Sequence, residues 1–173
     1  MKQLLEDIKT GQFRQAYLLY GQEAYLRNQY RDRLKAAMVQ EGDTMNFSSF
    51  QGKDINPAQI IDLAETMPFF ADRRVILIQD SGWFKKGGEA LADYLKTPSP
   101  TTFFIFVEAE ADKKNRHFKA VKEAGCAVEF STQDETTLKR WILGRIKKEN
   151  KAISHSGLDF FLQKSGSDME NID

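Results

Sequence analysis

The sequence predicts an α/β fold in which helices cover both faces of a parallel five-stranded sheet. Five short runs have strand character, namely AYLLY, MNFSSF, RRVILIQD, TTFFIFVE and CAVEF, and segments of helical length separate them. Strands that are buried on both faces have nearly continuous apolar sequences, as most of these runs do. Strands that alternate with helices are typical of a three-layer α/β arrangement.

A helix is predicted on each side of the first strand. Before the strand, Leu4, Leu5 and Ile8 form one face of a helix that Gly11 can end. After the strand, the pattern predicts a helix from about residue 23 to residue 40.

The second strand and the third helix follow. Phe47 and Phe50 are separated by polar residues, so we expect this strand to be less buried than the first. A helix should then begin at Pro57 with Asn56 as its cap, because proline fits the first turn and asparagine accepts a free amide. Its inward-facing residues are Ile60, Ile61 and Ala64.

Two further helices are predicted around the fourth strand. The helix at 86–96 has Leu91 and Leu95 on its inner face, and the helix at 113–124 has Phe118 and Val121. The fifth strand contains Cys126, the one cysteine, which we interpret as a core residue. No internal disulfide can form, so a reducing compartment is expected.

The pattern changes after the fifth strand. Apolar residues now recur only at helical intervals, in two groups: Leu138, Trp141, Ile142 and Ile146, then Leu158, Phe161 and Leu162. We place a domain boundary near residues 131–134, which gives an α/β domain at 1–132 and the beginning of a small all-α domain at 133–173. Two helices rarely form a core alone, so we expect the second domain to be truncated.

The overall composition argues against some functions. Lys plus Arg number 25 and Asp plus Glu number 25, so net charge gives no reason to expect binding to nucleic acid or membranes. The N-terminal segment does not have the apolar run of a secretory signal, and FFIFV is too short to cross a bilayer. We therefore expect a cytoplasmic protein with no membrane partner.

The turn at residues 21–24 is where an α/β protein would hold a phosphate, because helix N-terminal amides point at the anion. A phosphate loop needs several glycines and a Lys-Ser or Lys-Thr pair. This turn has only Gly21 and no lysine, and Glu23 would repel phosphate. We expect a plain strand-to-helix turn in which Glu23 interacts with the helix dipole.

No catalytic centre, metal site or cofactor is predicted elsewhere. Asp80 and Glu108 each follow an apolar strand, as the magnesium-binding carboxylate of ATPases does, but they have no phosphate loop to serve. His117 and His155 have no second ligand at a metal-binding spacing and are predicted to lie at the surface.

Basic residues cluster in two segments. Residues 112–122 contain five basic residues and one acidic residue, and residues 139–151 contain six and one. Such clusters usually keep a helix solvated, but clustered Lys and Arg also suit the phosphate backbone of DNA.

Two adjacent phenylalanines follow Pro68. The side chains of Phe69 and Phe70 must point in different directions whether the backbone is helical or extended, so one small core cannot easily bury both. Either two layers bury them or at least one is offered to a partner. Pro68 biases Met67 away from the helical conformation and so lets the following residues project. Adjacent phenylalanines taken alone are nevertheless more often core residues than partner contacts, so both outcomes stay open at this point.

A series of motifs resembles the delta subunit of the bacterial DNA polymerase III clamp loader. The motifs are YLLYGQEAYL, ETMPFFADRRVILIQD, FFIFVEAEADKKNRHFKAVKEAG, VEF and LKRWI. Their order and spacing cover nearly the whole chain. The resemblance implies an AAA+-type fold without a working phosphate loop, followed in the family by a fuller helical domain and a collar domain.

The resemblance also implies a function in DNA replication. The chain would be a non-catalytic subunit of the DNA polymerase III holoenzyme, a DNA-directed DNA polymerase and thus a nucleotidyltransferase complex. In the family, a hydrophobic pair at the end of the helix before the third strand inserts into the sliding clamp and helps to open the ring. By position, the implied clamp-binding residues are Met67, Pro68, Phe69 and Phe70, although many relatives have Leu-Phe where this chain has Phe-Phe.

The implied partners are the sliding clamp (the beta subunit), the ATPase subunits of the clamp loader, and primed DNA in the assembled complex. Lys113, Lys114, Arg116 and Lys119 are candidate contacts with DNA or neighbouring subunits. Two alternatives stay open from the sequence. One is a divergent nucleotide-binding α/β enzyme that uses Asp80 and Glu108 with magnesium, and the other is a basic DNA-binding module.

Overall fold

The computed structural model describes residues 1–132 and 135–165. The helices in these ranges are α1 (Lys2–Thr10), α2 (Ala24–Met38), α3 (Pro57–Ala64), α4 (Glu89–Tyr94), α5 (Arg116–Ala124), α6 (Glu135–Lys148) and α7 (His155–Ser165). The strands are β1 (Ala16–Tyr20), β2 (Phe47–Gln51), β3 (Arg74–Gln79), β4 (Thr102–Glu108) and β5 (Gly125–Glu129).

The five strands form one parallel sheet in the order β2-β3-β4-β1-β5. Strand β1 pairs with β4 on one side and β5 on the other, so Leu18 lies opposite both Phe106 and Ala127. The predicted parallel five-stranded sheet is confirmed. Because parallel strands end at the same edge, the loops after β1, β3 and β4 meet there.

Each face of the sheet has its own apolar core. On one face, Leu18 and alternate residues of the neighbouring strands pack with α3, α4 and α5, through residues such as Ile60, Leu91 and Val121. On the other face, Leu19 and its neighbours pack with α1 and α2. The continuous apolar sequence of β1 is therefore explained by burial on both sides, as predicted.

A third cluster of apolar residues joins the two last helices to α2. Leu138 and Ile142 of α6 pack against Leu158 and Leu162 of α7. The ring of Tyr25 in α2 contacts the ring of Trp141, with 5.5 Å between centroids. Residues 133 and 134 of the predicted boundary, and residues 166–173 of the predicted second domain, lie outside the described residues.

Several local predictions are confirmed. Gly11 ends α1 in a left-handed conformation, with φ 71°. The side chain of Asn56 accepts a hydrogen bond from the amide of Ala58, 3.0 Å away, and Pro57 opens α3. Phe47 and Phe50 are each only partly buried, so β2 is less buried than β1.

Two helices begin later than predicted. The predicted helix at 86–96 is shortened to α4, because Gly87 and Gly88 both have positive φ angles and Gly88 is the cap. The predicted helix at 113–124 is shortened to α5, because Asn115 caps it and accepts a hydrogen bond from the amide of His117. Leu5, predicted on the inner face of α1, is exposed.

The prediction that His117 lies at the surface is wrong. Only 1% of the residue is exposed, and its ring stacks on Trp83 with 6.0 Å between ring centroids. His117 shares the inner face of α5 with Val121, four residues later, which explains its burial. His155 is exposed, as predicted.

Within the described ranges, no helix is both long enough and apolar enough to cross a bilayer.

Candidate functional site

The two phenylalanines lie in the loop between α3 and β3, residues 65–73, which we call the Phe loop. Phe70 is 95% exposed, Phe69 is 56% exposed and Met67 is 80% exposed, while Pro68 is partly buried. Large apolar side chains are seldom displayed this fully, and a group of them marks a surface that binds a partner. Neither phenylalanine belongs to an apolar core of the described residues.

The two rings form one aromatic projection. Their centroids are 4.6 Å apart and their planes are inclined by 80°, which is the edge-to-face arrangement that aromatic pairs prefer. Phe70 has a φ of 47°, a left-handed backbone conformation that is uncommon for residues other than glycine. This turn of the backbone places successive side chains beside each other.

The side chain of Asn46 holds the loop at Phe69. Its Oδ1 accepts a hydrogen bond from the amide of Phe69, 2.6 Å away, and its Nδ2 donates to the carbonyl of Phe69, 2.9 Å away. Asp43 orients the Asn46 amide group by accepting a second hydrogen bond from Nδ2, also at 2.9 Å. Hydrogen bonds from Asn46 hold the pKa of the Asp43 carboxyl below its usual value.

Arg74, the first residue of β3, holds the loop from beneath. The residue is 5% exposed, and its guanidinium donates hydrogen bonds to the carbonyls of Thr66, Met67 and Met45 at 3.1 to 3.2 Å. A planar guanidinium can serve three carbonyls at once, which the single ammonium of lysine does less well. Met45 is 60% exposed and so adds apolar surface next to the loop.

The turn after β1 differs from a phosphate-binding loop in its hydrogen bonds. The amide of Glu23 donates to the carbonyl of Phe130 at 3.0 Å, and the amide of Gly21 donates to the carbonyl of Glu108 at 3.2 Å. A β-carbon on Gly21 would lie 2.2 Å from the Phe130 carbonyl oxygen. Two amides that could face an anion are therefore already bound within the protein, and the carboxylate-bearing Glu23 is buried at the start of α2.

The carboxylates of Glu108 and Asp80, at the end of β4 and just after β3, accept hydrogen bonds from other residues of the protein. Glu108 is buried and accepts hydrogen bonds from the amide and hydroxyl of Ser81 and from the amide of Gly82. Burial raises the pKa of Glu108, and these hydrogen bonds oppose the shift. Asp80 accepts a hydrogen bond from the side chain of Gln51. Among the described residues, no group of three or more potential ligands could hold a metal ion.

The predicted basic contacts are all exposed: Lys113 and Lys114 lie just before α5, and Arg116 and Lys119 lie in its first half. Two of them pair with acidic residues: the ammonium of Lys113 lies 2.8 Å from Glu129, and Arg116 pairs with Asp93. Lys114 and Lys119 form no salt bridge within the described ranges. These residues lie on a different part of the chain from the Phe loop.

The exposed residues of the Phe loop were predicted from the sequence, whereas Asn46, Arg74 and Met45 were not. Asn46 is 23 positions from Phe69, so nothing local in the sequence links them. Arg74 is the first residue of an apolar strand, and a charged residue at the end of a strand usually indicates a surface position. The Gly-Asp pair of the GDTMN segment is a turn signal, and Asp43 does accept hydrogen bonds from the amides of Met45 and Asn46, but that signal does not show which loop Asn46 holds.

Comparison with known proteins gives a family match over the α/β part of the chain. The family model described as DNA polymerase III, delta subunit, matches residues 17–131. The chain is 28% identical over 160 residues to the DNA polymerase III subunit delta of Bacillus subtilis strain 168. That match covers 86% of this chain and 46% of the relative, so the chain spans about half the length of this curated protein.

Solved structures share the fold. The DNA clamp loader delta protein of Bacillus subtilis has a TM-score of 0.76 at 24% identity, covering 98% of this chain and 53% of that one. A gamma subunit-related protein of DNA polymerase III from Thermotoga maritima has a TM-score of 0.56 at 12% identity, covering 85% and 52%. A Thermotoga maritima RuvB variant has a TM-score of 0.57 at 14% identity, covering 99% and 56%. These likenesses confirm the predicted α/β fold of the AAA+ type.

Proposed function

We propose, because this chain belongs to the DNA polymerase III delta subunit family, that it binds a sliding clamp through the Phe loop. The observation that carries the proposal is the exposure of Phe69 and Phe70 on a loop whose base is fixed by hydrogen bonds. Met67 and Pro68 would complete the contact. An apolar pocket on the clamp would receive the two rings.

The aromatic pair has enough apolar surface to anchor an interface. Burying a phenylalanine side chain contributes roughly 1.5 to 3 kcal/mol, so two rings contribute several kcal/mol. Binding energy in protein interfaces is usually concentrated in a few such residues. The edge-to-face packing of Phe69 on Phe70 would let both rings enter as one unit.

Clamp binding would serve ring opening. A ligand shifts a conformational equilibrium only by the difference in its affinity for the two states. The Phe loop would therefore have to bind the open form of the clamp ring more tightly than the closed form. ATP would be hydrolysed by other subunits of the loader, which would control access to Phe69 and Phe70.

We further propose that this chain takes no catalytic part and binds no nucleotide at the turn after β1. The amides of Gly21 and Glu23 already donate to backbone carbonyls, and a bound phosphate would have to displace those bonds beside the Glu23 carboxylate. Isothermal titration with ATP and magnesium tests this directly. Micromolar binding would contradict the proposal and favour the nucleotide-dependent enzyme.

The remaining assignments are also proposals. The α/β part, 1–132, would bind the clamp, and 133–173 would begin the helical second domain. Lys113, Lys114, Arg116 and Lys119 would contact primed DNA or neighbouring subunits, with Lys114 and Lys119 the more available because their charges form no salt bridge within the described ranges.

The experiment that tests clamp binding measures the affinity of the cognate sliding clamp for wild-type chain and for a Phe69→Ala, Phe70→Ala double variant. We expect a loss of about a hundredfold or more, because several kcal/mol of apolar burial is removed. Phe160→Ala is the matched control, since Phe160 is a 61% exposed ring on α7. Equal affinity of wild type and the double variant would overturn the proposal.

A further inference from the structure

The Phe loop is fixed at one residue by a side chain from a distant part of the chain. Asn46 pairs with the main chain of Phe69 through both its oxygen and its nitrogen, as a neighbouring strand would. Asn46 is 4% exposed, and Asp43 accepts hydrogen bonds from both its amide and its side chain. The pairing is therefore itself held in a defined orientation.

A second support acts on the residues just before the pair. The guanidinium of Arg74 donates to the carbonyls of Thr66 and Met67, and also to Met45, the residue preceding Asn46. Arg74 thus ties the Phe loop to the segment that carries Asn46. The two supports bind the main chain and leave the side chains of Met67, Phe69 and Phe70 exposed.

We infer that Asn46 and Arg74 are positioning residues that hold Phe69 and Phe70 in the clamp-binding geometry before the clamp arrives. The inference rests on the proposed function and adds the residues responsible for the shape of the loop. The two rings pack on each other but belong to no apolar core of the described residues, so the main chain sets the direction of the pair. Preorganising a binding loop improves affinity because less ordering remains to be done on association.

The effect has a kinetic signature. Without its supports the loop samples other conformations, and only the competent fraction can bind, so apparent affinity falls in proportion to that fraction. Loss of Asn46 should then slow association and leave dissociation nearly unchanged. Loss of a ring, by contrast, removes a contact and should mainly speed dissociation.

The test measures association and dissociation rates of the cognate clamp with the full chain. Asn46→Ala should associate about tenfold more slowly, because two hydrogen bonds to the loop are lost. Arg74→Lys keeps the charge but not the three-way geometry, so it should act in the same direction. Hydrogen exchange in the free Asn46→Ala chain should be faster in residues 65–73 and unchanged in the strands.

A double-mutant cycle separates positioning from direct contact. In the Phe69→Ala, Phe70→Ala background, Asn46→Ala should cause no further loss, because it acts through the two rings. A further loss of tenfold in that background would show that Asn46 contacts the clamp itself and would overturn the inference.

The failures of the two proposals are distinguishable. If the double phenylalanine variant binds like wild type, the proposed function fails. If that variant loses binding while Asn46→Ala and Arg74→Lys keep wild-type rates, the positioning inference alone fails.

Discussion

The buried His117 predicts a specific dependence of stability on pH. Burial lowers its pKa below the ordinary value of about 6.5, with Arg116 acting in the same direction and the carboxylates of Glu89 and Asp93 opposing. The unfolded chain therefore takes up a proton at a higher pH than the folded chain. The contribution to stability is fully present above about pH 6.5, declines as pH falls through the interval between the two pKa values, and levels off below the folded value.

Replacing the histidine should remove that decline. We expect His117→Gln to flatten the pH profile of the unfolding free energy just below about pH 6.5, where the wild-type slope from this group is at most about 1.4 kcal/mol per pH unit. Urea denaturation of both proteins at several pH values provides the measurement. Parallel pH profiles for the two proteins would show that His117 does not contribute.

The exposure of Phe69 and Phe70 and the burial of His117 differ in how far the sequence predicts them. The display of Phe69 and Phe70 was predicted through the resemblance to the delta subunit family, because adjacent phenylalanines taken alone are more often core residues. The burial of His117 could not be predicted in this way. Most of its neighbours in sequence are polar, and the aromatic rings that it contacts belong to Trp83 and Phe84, which are distant in sequence.

At the level of elements, the close pairing of β1 and β5 requires a glycine. A β-carbon at Gly125 would lie 1.8 Å from the carbonyl oxygen of Ala16, the residue opposite it in β1. Gly125→Ala must push the strands apart, so we expect a destabilisation of roughly 1 to 3 kcal/mol or more. Thermal unfolding of the variant measures this.

Gly144 provides a matched control for the same substitution. It lies inside α6 and is exposed, and apart from its chain neighbours and the backbone of its own helix, no atom of the described residues lies within 4 Å of the place where a β-carbon would stand. Gly144→Ala should raise stability by up to about 1 kcal/mol, because alanine is the better helix former. A stabilising Gly125→Ala would contradict the described strand pairing.

The helices and strands were largely predictable from the sequence. The hydrogen bonds that hold the Phe loop were not. Continuous apolar runs identified β1, β3 and β4, because burial on both faces requires such sequences. The start of α4 was misplaced because the left-handed conformation of Gly87 and Gly88 is not specified by apolar periodicity. The hydrogen bonds of Asn46 and Arg74 join segments far apart in sequence, where no local pattern applies.

For the whole molecule, the location of unpaired charge predicts how DNA would be bound. Lys114 and Lys119 are exposed and form no salt bridge in the described part of the chain, whereas Lys113 and Arg116 pair with carboxylates. Changing Lys114 and Lys119 to alanine should weaken binding to a primed duplex. The slope of log affinity against log salt should become shallower by up to about 2, one unit for each lost phosphate contact.

The control for this measurement is the Phe69→Ala, Phe70→Ala variant, whose DNA binding should match wild type because its basic residues are intact. A salt dependence that both lysine substitutions leave unchanged would remove these residues as DNA contacts. If DNA binding is strong while clamp binding is absent, the basic-module alternative gains support.

The central claim is that the rings of the Phe loop touch the clamp, and site-specific photocrosslinking tests it most directly. A benzoyl-phenylalanine placed at Phe70 should crosslink to the cognate clamp on irradiation, because the side chain there is 95% exposed and would enter the clamp pocket. The same group placed at Phe160, on α7, should give little or no crosslink. Efficient clamp binding with no crosslink from position 70, or with equal crosslinking from position 160, would contradict the account.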